Sequence, residues 1–220
     1  MHTQPHTPGA APDALAVLRN ATAEQHALLH RIMPLSVDTD TIDDYLDHLG
    51  LLRAWLVPLD AWLAGFDDGP QAHPALPDAH RIALIDADFA HASVPAASRR
   101  DDATTPAVTR WEGARSAAYR WGISYVVEGS QLGGSVLYAR LNQRLAPHPL
   151  GYLQAGREQA GARWSAVMKA LRSQVQAASH DSSNGEPDRG VADALQGASD
   201  AFDALIALAR QAEPASADRV

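Results

Sequence analysis

Apolar residues recur three and four positions apart along most of this chain, and prolines divide the pattern into segments. A first helix is expected from Pro12 and Asp13, with Leu15, Leu18, Thr22, Leu29 and Ile32 as its apolar stripe and Pro34 as its stop. The next opens at Thr39 or Asp40 and carries Ile42, Tyr45, Leu49, Leu52, Trp55, Leu59 and Phe66, with a kink expected at Pro58. A shorter helix is read over 79–92. A long one follows over about 115–145, with Trp111 in a turn before it and Pro147 and Pro149 after it. Two more are read over 150–177, anchored by Leu153, Trp164, Val167 and Leu171, and over 191–211, anchored by Phe202, Leu205 and Leu208. Residues 69–77, 95–106 and 180–190 have the composition of connections. No stretch alternates apolar and polar residues long enough to suggest a sheet.

These elements fit one all-α domain over 12–212, with tails at 1–11 and 213–220. At 220 residues the chain can bury a sizeable core. It has no cysteine, which removes disulfides, thiolate metal sites and thiol nucleophiles from consideration. A net charge of -8 argues against nucleic acid as a partner. No apolar run has the length of a membrane span, and the N-terminus lacks a charged-then-apolar signal pattern, so no membrane association and a cytoplasmic location are expected.

One feature runs against the helical pattern. The run Ser124-Tyr-Val-Val-Glu-Gly-Ser-Gln-Leu-Gly-Gly-Ser-Val-Leu137 places Gly129, Gly133 and Gly134 inside a helix, where each costs about 1 kcal/mol relative to alanine. Either something approaches the backbone there, such as a flat ligand, or the helix bends. The alternative is packing: Gly122, Gly129 and Gly133 are spaced seven and four apart, as on a small-residue face between helices.

The first helix holds the candidate chemistry. His26 lies four residues after Thr22 and three before Leu29, which sets it on the apolar stripe. Arg19 sits seven residues earlier on nearly the same face, about 10 Å along the axis. An imidazole for a metal and a guanidinium for a carboxylate are thus offered by one helix, against the alternatives of a core histidine and a solvated arginine. His30, one turn on, is open to two readings: support for the His26 ring, or a solvated helix-end histidine. No zincin glutamate lies between the two.

Together, Leu18-Arg-Asn-Ala-Thr-Ala-Glu-Gln-His-Ala-Leu-Leu-His30 and the glycine run resemble the heme oxygenases, most closely the bacterial biliverdin-forming type found beside bacteriophytochromes. The similarity spans about 15–211. It implies a single-domain heme-oxygenase-like helical bundle with a kinked, glycine-rich distal helix. It also implies that His26 binds the heme iron, that Arg19 contacts a propionate, and that Lys169 or Arg163 supplies a further propionate partner. Gly129 and Gly133 would shape the oxygen site, with Val126, Leu132 and Val136 as packing residues and Ser130 and Gln131 anchoring water. In the animal enzymes an aspartate follows the first glycine and organises the water that delivers protons; here it is Ser130, as in bacterial relatives, and the proton relay is unassigned. Glu128, rotated about 100° from Gly129, does not replace it. The implied partners are heme as both substrate and prosthetic group, molecular oxygen, an external donor such as a ferredoxin or flavoprotein reductase, and a bacteriophytochrome as receiver of biliverdin.

Two other functions remain open on the sequence. One is a non-catalytic heme carrier or sensor of the same fold. The other is a non-heme di-iron enzyme, which needs several inward carboxylates and usually Glu-x-x-His pairs. The chain has no such pair, only Asp44 with His48 and Asp88 with His91.

Overall fold

In a computed structural model, the structure describes residues 14–36, 41–98, 111–113, 115–181 and 189–212. The two tails, the helix starts at 12–13 and 39–40, and the greater part of the connections 95–106 and 180–190 lie outside the described residues. The described residues form seven α-helices and no strand: α1 (Ala14–Ala21), α2 (Ala23–Ile32), α3 (Ile42–Leu63), α4 (Arg81–Phe89), α5 (Ala117–Leu141), α6 (Gly151–Asp181) and α7 (Arg189–Ala212). No helix among them is long and apolar enough to cross a membrane.

The first expected helix is two. Thr22 takes φ -99° and ψ 5°, and its hydroxyl donates to the Leu18 carbonyl at 2.9 Å, a back-bond that competes with regular helix geometry. Backbone bonds still carry the path across, from Thr22 N to Leu18 O and from His26 N to Thr22 O, each 3.0 Å.

Local signals explain where the other helices begin. Thr41 and Asp44 close a reciprocal capping box on α3, and Ser116 accepts from the Tyr119 amide at the start of α5. The start of α6 is capped from a distance. Asp88, buried at the end of α4, accepts from the Gly151 and Tyr152 amides at 2.9 Å each and from the Tyr45 hydroxyl at 2.6 Å. His148 joins this cluster through the Asp88 carbonyl.

α5 lies at the centre, packed chiefly against α6 and α7, while α2 and α3 also rest on α7. It runs as one helix across all three of its distal glycines. Its crossing with α7 is unusually close: a Cβ on Gly122 would overlap the Ala194 carbonyl oxygen, and one on Gly197 would overlap that of Tyr119. Ala194, Ala198 and Ala201 are fully buried along the same seam. On its other side, α5 is held by Glu128, which is 3 % exposed and accepts from Arg163 at 2.8 and 2.9 Å and from Arg81 at 2.7 Å. Burial alone would raise the Glu128 pKa; the Arg163 and Arg81 bonds and charges outweigh it and hold the carboxyl below its ordinary value.

His48, on α3, is buried with no hydrogen-bond partner for Nδ1, and burial, helped by the charge of Arg140, drives its pKa down to about 4. The unfolded chain would protonate it near about 6.5. Over the interval between those values the unfolded state binds more protons, so stability is complete above it and falls by about 3 kcal/mol as pH descends through it. His48→Leu should flatten the acid side of the stability curve. Urea unfolding at about pH 7 and about pH 4.5 checks this, and a variant with the parent's pH slope would show that the loss arises elsewhere.

Candidate functional site

His26 sits on α2, one turn before His30 and beside Phe202 of α7. Its ring meets His30 edge-on at 4.6 Å between centroids and Phe202 at 6.3 Å. The sequence places His26 on the buried stripe, but its ring is exposed, while Thr22 and Leu29 on either side are buried. α2 packs on α7, where the Gln25 amide donates to Asp203 at 2.7 Å. Desolvation, and then the charge of His30, lower the His26 pKa below 6.5. The imidazole is therefore neutral at pH 7, and its nitrogens make no hydrogen bond among the described residues. That is the state a metal ligand requires.

Arg19 is exposed on α1. Burial, the larger effect, raises the pKa of Tyr125 on α5 above its ordinary value, while the charge of Arg19 acts to lower it. Tyr125 was not singled out by the sequence, although it directly precedes the apolar pair Val126 and Val127. Its ring packs against Trp164 of α6 at 5.3 Å.

The glycines of α5 divide by role. A Cβ on Gly129 would stand 3.2 Å from the Trp164 ring, so this glycine admits a tryptophan from α6. A Cβ on Gly134 would make ordinary contact with Leu153 at 3.5 Å, also from α6. Gly133 is different: it is exposed, and a Cβ there meets nothing within 4 Å. The packing alternative accounts for Gly122 and Gly129 and does not reach Gly133.

Several expectations are corrected. Leu132 and Val136 are not packing residues: they are 39 % and 70 % exposed and flank Gly133 on an open apolar strip, whereas Val126 is buried as expected. Arg163 is unsuited to a ligand carboxylate, because it is buried, bonded twice to Glu128 and donates to the Pro77 carbonyl at 2.6 Å. Lys169 is exposed on α6 and makes no ion pair among the described residues. Gln131 is buried and donates to the Tyr152 hydroxyl at 2.8 Å, facing α6. Ser130 is exposed, and its hydroxyl donates to the Val127 carbonyl at 2.7 Å.

The aspartate–histidine pairs have structural work. Asp44 caps α3 and Asp88 caps α6, while His48 is buried without an acidic partner. Among the described residues no three acidic or histidine side chains are grouped to hold a metal ion. His26 and His30 are the histidine pair the segment offers, with ring centroids 4.6 Å apart. No family model, no curated protein and no solved structure matches this chain.

Proposed function

We propose that the protein is a heme oxygenase, converting heme with oxygen and reducing equivalents to biliverdin, carbon monoxide and iron. The observation that carries this reading is His26: an exposed imidazole whose pKa lies below its ordinary value and whose ring makes no hydrogen bond among the described residues, set beside Phe202 and one turn from His30. A histidine that served only the fold would be expected to bury its ring or bond it.

The exposed His26 imidazole and the exposed cations Arg19 and Lys169 support a fit to the group. His26 would hold the iron, and Arg19, with Lys169 in a looser role, would answer the propionates. Heme would supply the redox-active metal and the ring that is opened. Gly133, with no neighbour in Cβ range and Leu132 and Val136 beside it, would offer a low, apolar wall where a larger side chain would obstruct oxygen. Gly129 acts one layer back by admitting Trp164, and a bend of α5 at these glycines belongs to the same reading. Ser130 can hold a water at Oγ but carries no charge. Electrons would come from a separate ferredoxin or flavoprotein reductase, since the chain has no dinucleotide fingerprint, and a bacteriophytochrome is a fitting receiver of the product.

One observation favours a second reading, a heme carrier or sensor. The carboxylate nearest Ser130 in sequence, Glu128, is locked between Arg81 and Arg163 and is not free to move protons. Titration with hemin tests what both readings share: a one-to-one complex with a histidine-ligated Soret band is expected, and it should weaken as pH falls through the lowered His26 pKa. An unshifted Soret band would reject both.

A further inference from the structure

A cleft of about 490 Å³ opens between the end of α3, the entry to α5 and the middle of α7. One wall is aromatic. Trp62 and Trp111 stack with centroids 5.9 Å apart and planes 30° from parallel, and Tyr119 meets Trp62 edge-on at 6.2 Å. The opposite wall is anionic, formed by Asp200 and Asp203, about one turn apart on α7, with exposed Glu112 at the rim.

The bonds that hold these acids come from neutral groups. Asp200 accepts from the Tyr119 hydroxyl at 2.5 Å and the Gln196 amide at 2.6 Å, and Asp203 accepts from the Gln25 amide. No ion pair among the described residues neutralises any of the three. Among the described residues of the lining the one cation, Arg115, stacks over the Tyr119 ring at 5.0 Å. Three carboxylates against one guanidinium leave two negative charges among those residues, and Arg115 shows that the aromatic wall accepts a guanidinium face.

We propose that this cleft binds a small organic dication, with an ammonium at one end and a guanidinium or second ammonium at the other. The volume lies within the range of small-molecule sites. Charge sets the sign of the ligand, and the tryptophan pair favours a cation with an alkyl body over a bare metal ion. A divalent metal is the poorer match, because no metal-ligating group of three exists among the described residues. The site uses none of His26, Arg19 or Gly133 and does not rest on the proposed heme chemistry, although Asp203 accepts from Gln25, the residue before His26.

Agmatine is a suitable probe, followed by calorimetry and tryptophan fluorescence on the full chain. Saturable one-to-one binding is expected, with no heat from neutral 1,4-butanediol. The double variant Glu112→Gln, Asp203→Asn alters exposed residues and keeps an acceptor for Gln25; it should weaken agmatine at least about tenfold. Arg115→Ala should tighten it severalfold, by freeing the Tyr119 face and removing the competing charge, a gain that damage to the fold would not give. Absence of saturation up to about 10 mM, or equal affinity in parent and double variant, would overturn the proposal. So would capture of an arginine-rich peptide by a protein that ignores agmatine, which would make the cleft a protein-docking surface.

Discussion

His26→Ala is expected to lower hemin turnover by at least about a hundredfold while leaving the thermal midpoint almost unmoved. Loss of the groups that merely orient a ligand histidine typically costs 10–100-fold, so loss of the ligand itself belongs at or beyond the upper end. The structural cost is small. The ring is exposed, makes no hydrogen bond among the described residues, and gives up only edge contacts with His30 and Phe202. Alanine's better helix propensity offsets part of that, by about 0.5 kcal/mol. Added imidazole should restore part of the Soret band and part of the turnover, which repair of a folding defect would not do. Parent-level activity in the variant would show that another residue holds the iron.

Gly122→Ala is expected to be the most damaging small change to stability. Its Cβ would overlap the Ala194 carbonyl oxygen and stand 2.8 Å from the carbonyl carbon, and neither atom can rotate away as a side chain would. Relief requires α5 and α7 to separate along a seam where Ala194, Ala198 and Ala201 are fully buried. Overpacking of this kind costs about 3 kcal/mol or more, which in a chain of this size lowers the midpoint by about 10 °C. Gly197→Ala should behave alike, since its Cβ meets the Tyr119 carbonyl from the other helix. Gly133→Ala should act in the opposite sense and stabilise by about 1 kcal/mol, because the position is open and alanine is the better helix former. Differential scanning calorimetry on the three variants decides the matter. Equal small effects at all three positions would mean that the α5–α7 approach is looser than described.

These glycines show what the sequence can and cannot tell. Periodicity marks the helices and most of their buried faces, because a stripe such as Leu15, Leu18 and Leu29 is written every three or four residues. It also marks the glycine run as unusual. It does not say which glycine meets what, since that depends on the partner helix: Gly122 faces α7, Gly129 faces Trp164 of α6, and Gly133 faces nothing. Gly197, the reciprocal half of the close crossing, has no local signal at all.

Long-range polar pairings are hidden for the same reason. Asp88 reads as half of an aspartate–histidine pair, yet its carboxylate caps a helix that begins 63 residues later. Arg163, which the resemblance offers as a propionate partner, is instead buried against Glu128, 35 residues away. At the candidate site, spacing brings His26, Arg19 and the glycine run to attention. The exposure of His26 and the open strip of Leu132 and Val136 depend on how the helices pack and are not written in any one segment.

The most direct test of the central claim is aerobic incubation of the hemin complex with a ferredoxin and its reductase, followed by chromatography of the pigment. The account predicts conversion of the bound hemin to biliverdin with release of carbon monoxide, and its abolition in His26→Ala. Hemin that binds through His26 and is recovered intact after reduction under oxygen would contradict it.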